Sequence, residues 1–171
     1  MPDFSLRRAG PEDAGVLSEL GRDTFCAAFA HLYPAQDLKA FLADSYAPEA
    51  FAAALRDSSS ALWIAESPDG RAAGYAQAGP CGLPHPDVTP ACGELKRLYL
   101  RPEHQSAGLG GQLFDAAMDW LGRPGRSLWI GVWSKNLGAQ RFYARRGFEK
   151  VGEYLFPVGG VRDEEFILRR G

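Results

Sequence analysis

The chain has 171 residues, of which 46% are apolar and 23% charged, and its formal net charge is −2. This length suits a single domain over residues 1–171, and the composition excludes disordered, collagen-like and coiled-coil chains. No apolar run approaches the roughly 20 residues that cross a bilayer, so we expect no membrane segment. A balance this close to neutral also argues against a nucleic-acid-binding protein.

The cellular compartment is inferred from the start of the chain and from its thiols. The first residues have neither the basic nor the apolar region of a signal peptide. Cys26, Cys81 and Cys92 are odd in number and lack the CxxC spacing of metal or redox sites. We therefore expect buried thiols, no metal site and a cytoplasmic protein.

The charges are unevenly distributed along the chain. Residues 1–90 carry 12 acids and 6 bases (−6), whereas residues 91–171 carry 9 acids and 13 bases (+4). Two interpretations stay open. The difference is chance, or the basic half meets a polyanionic ligand and the acidic half a cationic one.

The first half of the chain predicts a strand, three helices and a hairpin. Apolar spacing indicates a strand at residues 4–8, helices beginning near Pro11, Asp37 and Pro48, and hairpin strands at 62–65 and 72–78. A proline-containing surface loop follows at residues 79–92.

The second half predicts alternating strands and helices. They are expected at residues 94–100 (strand), 106–121 (helix), 128–133 (strand), 137–146 (helix), 154–158 (strand) and 165–169 (strand). Hairpins combined with helices in this order predict one α+β domain.

A glycine-rich turn separates the strand at 94–100 from the helix that follows. Gly108, Gly110 and Gly111 allow positive φ and a close approach of a ligand to the main chain. Unpaired N–H groups at the start of a helix bind anions, and a pyrophosphate suits such a site. The alternative is a glycine-rich helix start that binds nothing.

Three phosphate-binding patterns can be compared with this turn. A Walker loop requires Gly-Lys-Ser/Thr, which is missing here, and a Rossmann turn belongs near the first strand of alternating βαβ units. The spacing that fits is Gln-x-x-Gly-x-Gly, formed by Gln105, Gly108 and Gly110.

A second group of residues follows the strand at 128–133. Asn136 is placed to cap the next helix, and Tyr143 lies two turns later on the same face, before a stop at Gly147. Tyr143 is either an amphipathic filler or a phenol that protonates a leaving thiolate.

The two motifs together resemble the GCN5-related N-acetyltransferases (GNAT). The resemblance covers residues 62–150, and the segments 94–100, 129–133 and 156–159 are similar to bacterial polyamine (spermidine-type) acetyltransferases. It implies a mixed, mostly antiparallel twisted sheet flanked by helices, with a splayed strand pair at an acetyl-CoA site. It also implies a small-molecule amine acceptor and allows a homodimer.

The resemblance assigns the acetyl-CoA contacts to residues of both motifs. Backbone groups of Leu98, Tyr99 and Leu100 would pair with the pantetheine arm, and the turn would hold the pyrophosphate. Asn136 would contact the pantetheine or cap its helix, and Tyr143 would be the general acid. The turn residues concerned are Gln105, Ser106, Ala107, Gly108, Leu109, Gly110 and Gly111. Arg101 or Arg141 would add charge near the phosphates or simply be solvated.

The acceptor amine must lose a proton before it attacks the thioester. Glu94 is the candidate base, because period-2 alternation predicts that it shares a strand face with Leu98. The alternative is that Glu94 only pairs with Lys96 or Arg97. Glu66, Tyr75 and a water relay are weaker candidates for the base.

The acceptor pocket implied by the resemblance lies along the first helices. Phe25, Phe29, His31 and Tyr33 are the expected substrate contacts, and their aromatic rings suit a cationic amine. Two other functions stay open: acetylation of a peptide or protein N-terminus, and a catalytically silent acetyl-CoA-binding module.

Overall fold

The computed structural model describes residues 3–105 and 107–171, so Ser106 and its predicted phosphate contact lie outside the described residues. The strands are β1 (Ser5–Arg8), β2 (Ala61–Glu66), β3 (Ala72–Pro80), β4 (Gly93–Leu100), β5 (Leu128–Trp133), β6 (Glu149–Val158) and β7 (Val161–Arg170). The helices are α1 (Ala14–Phe29), α2 (Ala35–Ser45), α3 (Pro48–Arg56), α4 (Leu109–Leu121) and α5 (Leu137–Ala144).

The described strands form one sheet in the order β1-β2-β3-β4-β5-β7-β6. Neighbouring strands are antiparallel except for β4 and β5, which run parallel. The predicted α+β class with a mixed, mostly antiparallel sheet is therefore confirmed. The crossover between the two parallel strands contains α4, as a parallel connection requires.

The parallel pair separates soon after it forms. Gly93, Glu94 and Leu95 of β4 pair with the first three residues of β5, and the described ladder ends there although both strands continue. The sheet is therefore open between the second halves of β4 and β5. This opening is the splayed strand pair that the sequence predicts.

A β-bulge in β4 reverses one predicted orientation. Gln77 of β3 pairs with Arg97, but the next residue, Ala78, pairs with Leu95, so Lys96 is the extra residue. One inserted residue moves the flanking side chains to opposite faces. Glu94 therefore lies on the face opposite Leu98, and the prediction that the two share a face is wrong.

The two faces of the sheet bury different helices. Helix α4 packs its buried side, including Leu113 and Phe114, against one face together with Leu95 of β4. Helices α1 and α3 cover the other face, where Leu17 and Phe51 pack against β2 and β3. Both faces of the central strands are thus inaccessible, and the opening between β4 and β5 interrupts this packing.

Helix α4 begins later than the sequence predicts. Its first residue is Leu109, because Gly108 has φ +79° and cannot be part of the helix. A left-handed residue before a helix is available to glycine at little cost. The turn therefore ends at Gly108, and the helical N–H groups begin directly after it.

The structure shows the state of the three cysteines and the character of the helices. All three cysteines are free: Cys92 is buried, whereas Cys26 and Cys81 are only partly buried. Within residues 3–105 and 107–171, no helix is both long and apolar enough to cross a membrane.

Close packing at Gly21 of α1 gives a test of this arrangement. A Cβ at Gly21 would lie 2.6 Å from Cδ1 of the buried Tyr46 ring, whereas a Cβ at Gly15 of the same helix would meet nothing within 4 Å. We expect Gly21→Ala to lower the free energy of unfolding by about 1–3 kcal/mol, because overpacking outweighs the gain in helix propensity. Urea unfolding measures this change.

The matched control is Gly15→Ala, which should leave the free energy of unfolding unchanged or raise it by up to about 1 kcal/mol. Equal effects of the two substitutions would contradict the packing of α1 against Tyr46.

Candidate active site

Two cavities meet at the opening between β4 and β5. The first, the α4-side cavity, has a volume of about 560 Å³ and is lined by Thr24, Leu100, Gln105, Gly110 and Phe142. The second, the β7-side cavity, has a volume of about 380 Å³ and is lined by Phe25, Tyr33, Glu94, Tyr154 and Glu165. Six residues line both cavities: Phe29, Leu98, Tyr99, Asn136, Ala139 and Tyr143.

Helix α5 brings Asn136 and Tyr143 to this junction. The Asn136 side chain caps the helix by accepting a hydrogen bond from the Ala139 N–H at 3.0 Å. Both residues line both cavities, which agrees with the shared helix face predicted from their spacing. Tyr143 is 8% exposed, and its burial raises the pKa of the phenol above the ordinary value. The hydroxyl group is therefore kept protonated where the cavities meet.

The first turn of α4 presents unpaired N–H groups beside the α4-side cavity. Leu109, Gly110 and Gly111 begin the helix, so their N–H groups have no acceptor within it. A Cβ at Gly111 would lie 3.4 Å from the Arg146 Nη2 atom, so a guanidinium group lies beside the same turn. Arg146 stacks on the Phe142 ring, 3.5 Å from its centroid. A role for Arg146 at this turn was not predicted from the sequence.

The other residues predicted to bind the phosphates differ in their positions and contacts. Gln105 lines the α4-side cavity and donates to the Leu100 carbonyl oxygen at 3.5 Å, whereas Ala107 and Gly108 are exposed and do not line it. The Arg101 guanidinium group donates to Asp23 at 2.9 Å and to the Ala72 carbonyl oxygen. It is therefore already paired and is not free to bind a phosphate group.

The free edge of β4 contributes two of the three predicted backbone groups. The Arg101 N–H donates to the Ala73 carbonyl at 2.8 Å. Successive residues of a strand point their backbone N–H and C=O groups to opposite sides. The backbone groups of Tyr99 therefore point toward β3, and those of Leu98 and Leu100 point toward the opening. The expectation that the Tyr99 backbone faces a ligand is therefore wrong, although its side chain lines both cavities.

Glu94 lines the β7-side cavity, and its carboxylate already accepts hydrogen bonds from the protein. Its Oε1 atom accepts hydrogen bonds from the Gly82 N–H at 3.0 Å and from the Lys96 Nζ at 3.2 Å. The alternative bases are excluded by position, since Glu66 accepts from Arg7 at 2.6 Å and neither Glu66 nor Tyr75 lines either cavity.

Aromatic side chains form one wall of the β7-side cavity. Phe25, Phe29 and Tyr33, the expected substrate contacts, lie there together with Phe41 and Phe156. His31 lies on the turn after α1 with its side chain exposed, and it lines neither cavity, so it is not brought to this wall.

Two carboxylates from β7, neither of them predicted from the sequence, line the same cavity as the aromatic wall. Asp163 accepts a hydrogen bond from the Tyr33 hydroxyl group. Burial, reinforced by the negative charge of Asp163, raises the pKa of Glu165 to about 7. A signal was present in the sequence, because Asp163 and Glu165 lie four and two residues before the buried Ile167 and therefore share its strand face.

These carboxylates change the interpretation of the charge asymmetry. Glu94, Asp163 and Glu165 all belong to residues 91–171, and the lining residues from residues 1–90 are uncharged. The charged side chains of this cavity therefore come from the basic half of the chain and not from the acidic half. In the described part of the chain, His, Cys, Asp and Glu side chains form no group of three that is placed to hold a metal ion.

The comparisons with known proteins agree with this geometry. The model of the acetyltransferase (GNAT) family matches residues 23–148. A protein of Lactobacillus delbrueckii subsp. lactis, named an uncharacterized N-acetyltransferase, is 31% identical over 171 residues, covering 99% of this chain and 98% of that one. A similarly named protein of Mycobacterium tuberculosis is 30% identical, covering 92% of this chain and 97% of its own.

Solved structures share the fold. The PaiA N-acetyltransferase of Thermoplasma acidophilum, in complex with coenzyme A, has a TM-score of 0.77 at 20% identity, covering 98% of each chain. The ribosomal-protein-S18-alanine N-acetyltransferase of Escherichia coli has a TM-score of 0.70 at 18% identity, covering 98% of this chain and 93% of that one. The splayed sheet, the two motifs and these matches lead to one conclusion: the chain belongs to the GNAT family of acetyl-CoA-dependent N-acetyltransferases.

Proposed function

We propose that this acetyltransferase modifies a primary amine of a small cationic molecule, with polyamines as the leading class. The observation that carries this proposal is the β7-side cavity, where an aromatic wall faces Asp163 and Glu165. Aromatic faces and carboxylates both attract ammonium groups.

The α4-side cavity suits acetyl-CoA, which supplies the acetyl thioester. Its fit is supported by the unpaired N–H groups at the start of α4, by the guanidinium group of Arg146 and by the free β4 edge at Leu98 and Leu100. The N–H groups would hold the pyrophosphate, and the β4 edge would hold the pantetheine arm as a strand partner does.

Tyr143 is proposed as the general acid. Its phenol lines both cavities, so it would lie beside the sulfur that leaves when an amine from the β7-side cavity attacks. The raised pKa keeps the proton on the phenol until a thiolate forms. Asn136 supports this role by capping the helix that carries Tyr143.

The proposed compartment is the cytoplasm. Three free cysteines, none of them in a disulfide, are typical of a reducing environment.

The acceptor class is tested by measuring release of the CoA thiol with a matched set of amines. 1,4-Diaminobutane and butylamine have the same chain length and differ in the second ammonium group, and spermidine extends the series. We expect the diamine and spermidine to exceed butylamine in kcat/KM by about tenfold or more, because a second charge-assisted contact is worth at least ~1.4 kcal/mol.

Lysine and a short peptide with a free N-terminus complete the panel. A preference for the peptide would replace the polyamine proposal with N-terminal acetylation. Tight acetyl-CoA binding without turnover of any amine would instead indicate a silent binding module.

The role of Tyr143 is tested by Tyr143→Phe, which removes only the hydroxyl group. We expect kcat to fall by about 10²-fold or more, because the leaving sulfur loses its proton donor, while acetyl-CoA binding measured by calorimetry is retained.

Tyr75→Phe is the control for this experiment. Tyr75 is fully buried, its hydroxyl group has no hydrogen-bond partner among the described residues, and it lines neither cavity. Its kcat should equal that of the wild type. A wild-type kcat for Tyr143→Phe would remove Tyr143 from the mechanism.

A further inference from the structure

Glu165 has an unusual position for a carboxylate. It lies on β7, opposite Tyr154 of β6 and Trp133 of β5, and it lines the β7-side cavity. Its Oε2 atom is buried and has no hydrogen-bond partner among the described residues. A buried carboxylate oxygen without a partner is costly, so a site that keeps one has a use for it.

The other two carboxylates of the cavity are already partnered. Glu94 accepts hydrogen bonds from Lys96 and from the Gly82 N–H. Asp163 accepts a hydrogen bond from the Tyr33 hydroxyl group. Glu165 is therefore the carboxylate of this cavity that has a buried oxygen without a hydrogen-bond partner among the described residues.

Charged and titratable groups from several elements line the β7-side cavity together with Glu165. They are Asp163 on β7, Tyr154 on β6, Glu94, Lys96, Arg97 and Tyr99 on β4, Tyr33 after α1, Tyr46 after α2 and Tyr143 on α5. Lys96 is paired with Glu94, and Arg97 stacks on Tyr46 at 4.1 Å and donates to the Ser45 carbonyl oxygen. No described cation forms a salt bridge with Glu165, so an ammonium ligand would be its first.

We propose that Glu165 is the general base that binds the acceptor ammonium group and removes its proton, in place of the paired Glu94. This inference rests on the proposed function, in which the β7-side cavity receives the acceptor amine. An ammonium group that enters the cavity would be the first cation beside the Glu165 carboxylate, and the same contact lies along the path of proton transfer.

The proton balance of the step is simple. Glu165 takes one proton from R–NH₃⁺, and the nitrogen lone pair then forms the N–C bond as the C–S bond of the thioester breaks. Tyr143 gives its proton to the departing sulfur and regains one from the nitrogen, so the products are the amide and the CoA thiol. Glu165 returns its proton to water through the open cavity.

If Glu165 is the base, its raised pKa determines how kcat/KM changes with pH. The carboxylate must be ionised to act, so kcat/KM rises with pH through its pKa of about 7. Removing the negative charge of Asp163 lowers the pKa of Glu165, so the rise moves to lower pH in Asp163→Asn. A merely structural role for either residue predicts no such displacement.

The experiment compares the pH profiles of kcat/KM for the wild type, Glu165→Gln, Asp163→Asn and Glu94→Gln, using the preferred amine of the wild type. We expect Glu165→Gln to lose the rise and at least about 10²-fold in rate. Asp163→Asn should keep the rise at lower pH, and Glu94→Gln should keep it at the wild-type position.

Several outcomes would overturn the inference while leaving the proposed function intact. They are a wild-type profile for Glu165→Gln, an undisplaced rise for Asp163→Asn, or loss of the rise in Glu94→Gln. Acetyl-CoA binding by each variant verifies its folding, and if Glu165→Gln does not fold, the Asp163→Asn profile decides.

A second readout does not depend on turnover. The ¹³C carboxyl resonance of Glu165 in the wild-type protein should titrate near pH 7, and a midpoint at the ordinary value for glutamate would contradict the inference. If no amine of the panel reacts, the proposed acceptor class is wrong. The titration still shows in that case whether the pKa of Glu165 is raised.

Discussion

The divergence of β4 from β5 is the constraint on which both halves of the active site depend. The two parallel strands share three residue pairs and then separate, which leaves the polar groups of Leu98 and Leu100 without a strand partner. An opening in the middle of a sheet exposes backbone groups that a ligand can satisfy. Both cavities meet at this opening, and the helix that carries Tyr143 borders it.

The bulge at Lys96 has a second, separate effect. It turns Leu98 and Leu100 toward the α4 face while Glu94, Arg97 and Tyr99 face the β7-side cavity. One strand therefore lines both sides of the opening, with apolar side chains toward α4 and charged ones toward the β7-side cavity. Without the inserted residue, Glu94 would point into the apolar core beneath α4, where a carboxylate is costly.

Local patterns predicted most elements of the fold, because periodicity, capping residues and glycine turns act within short segments. The same holds for Asn136, Tyr143 and the turn at Gly108, whose spacing is itself the signal. The bulge could not be predicted from the sequence, since it depends on the pairing of β4 with β3. The position of Asp163 and Glu165 at the cavity could not be predicted for a related reason. Their carboxylates line a cavity beside α1 only because β7 pairs with β5 in the sheet.

The central claim is that acetyl-CoA occupies the α4-side cavity and presents its sulfur at the junction beside Tyr143. A crystal structure of the protein with coenzyme A tests it most directly. We predict that the sulfur lies within hydrogen-bond reach of the Tyr143 hydroxyl group and that the pyrophosphate lies on the N–H groups of residues 109–111. Coenzyme A bound with its pantetheine arm away from the free edge of β4, or its phosphates away from α4, would contradict the account.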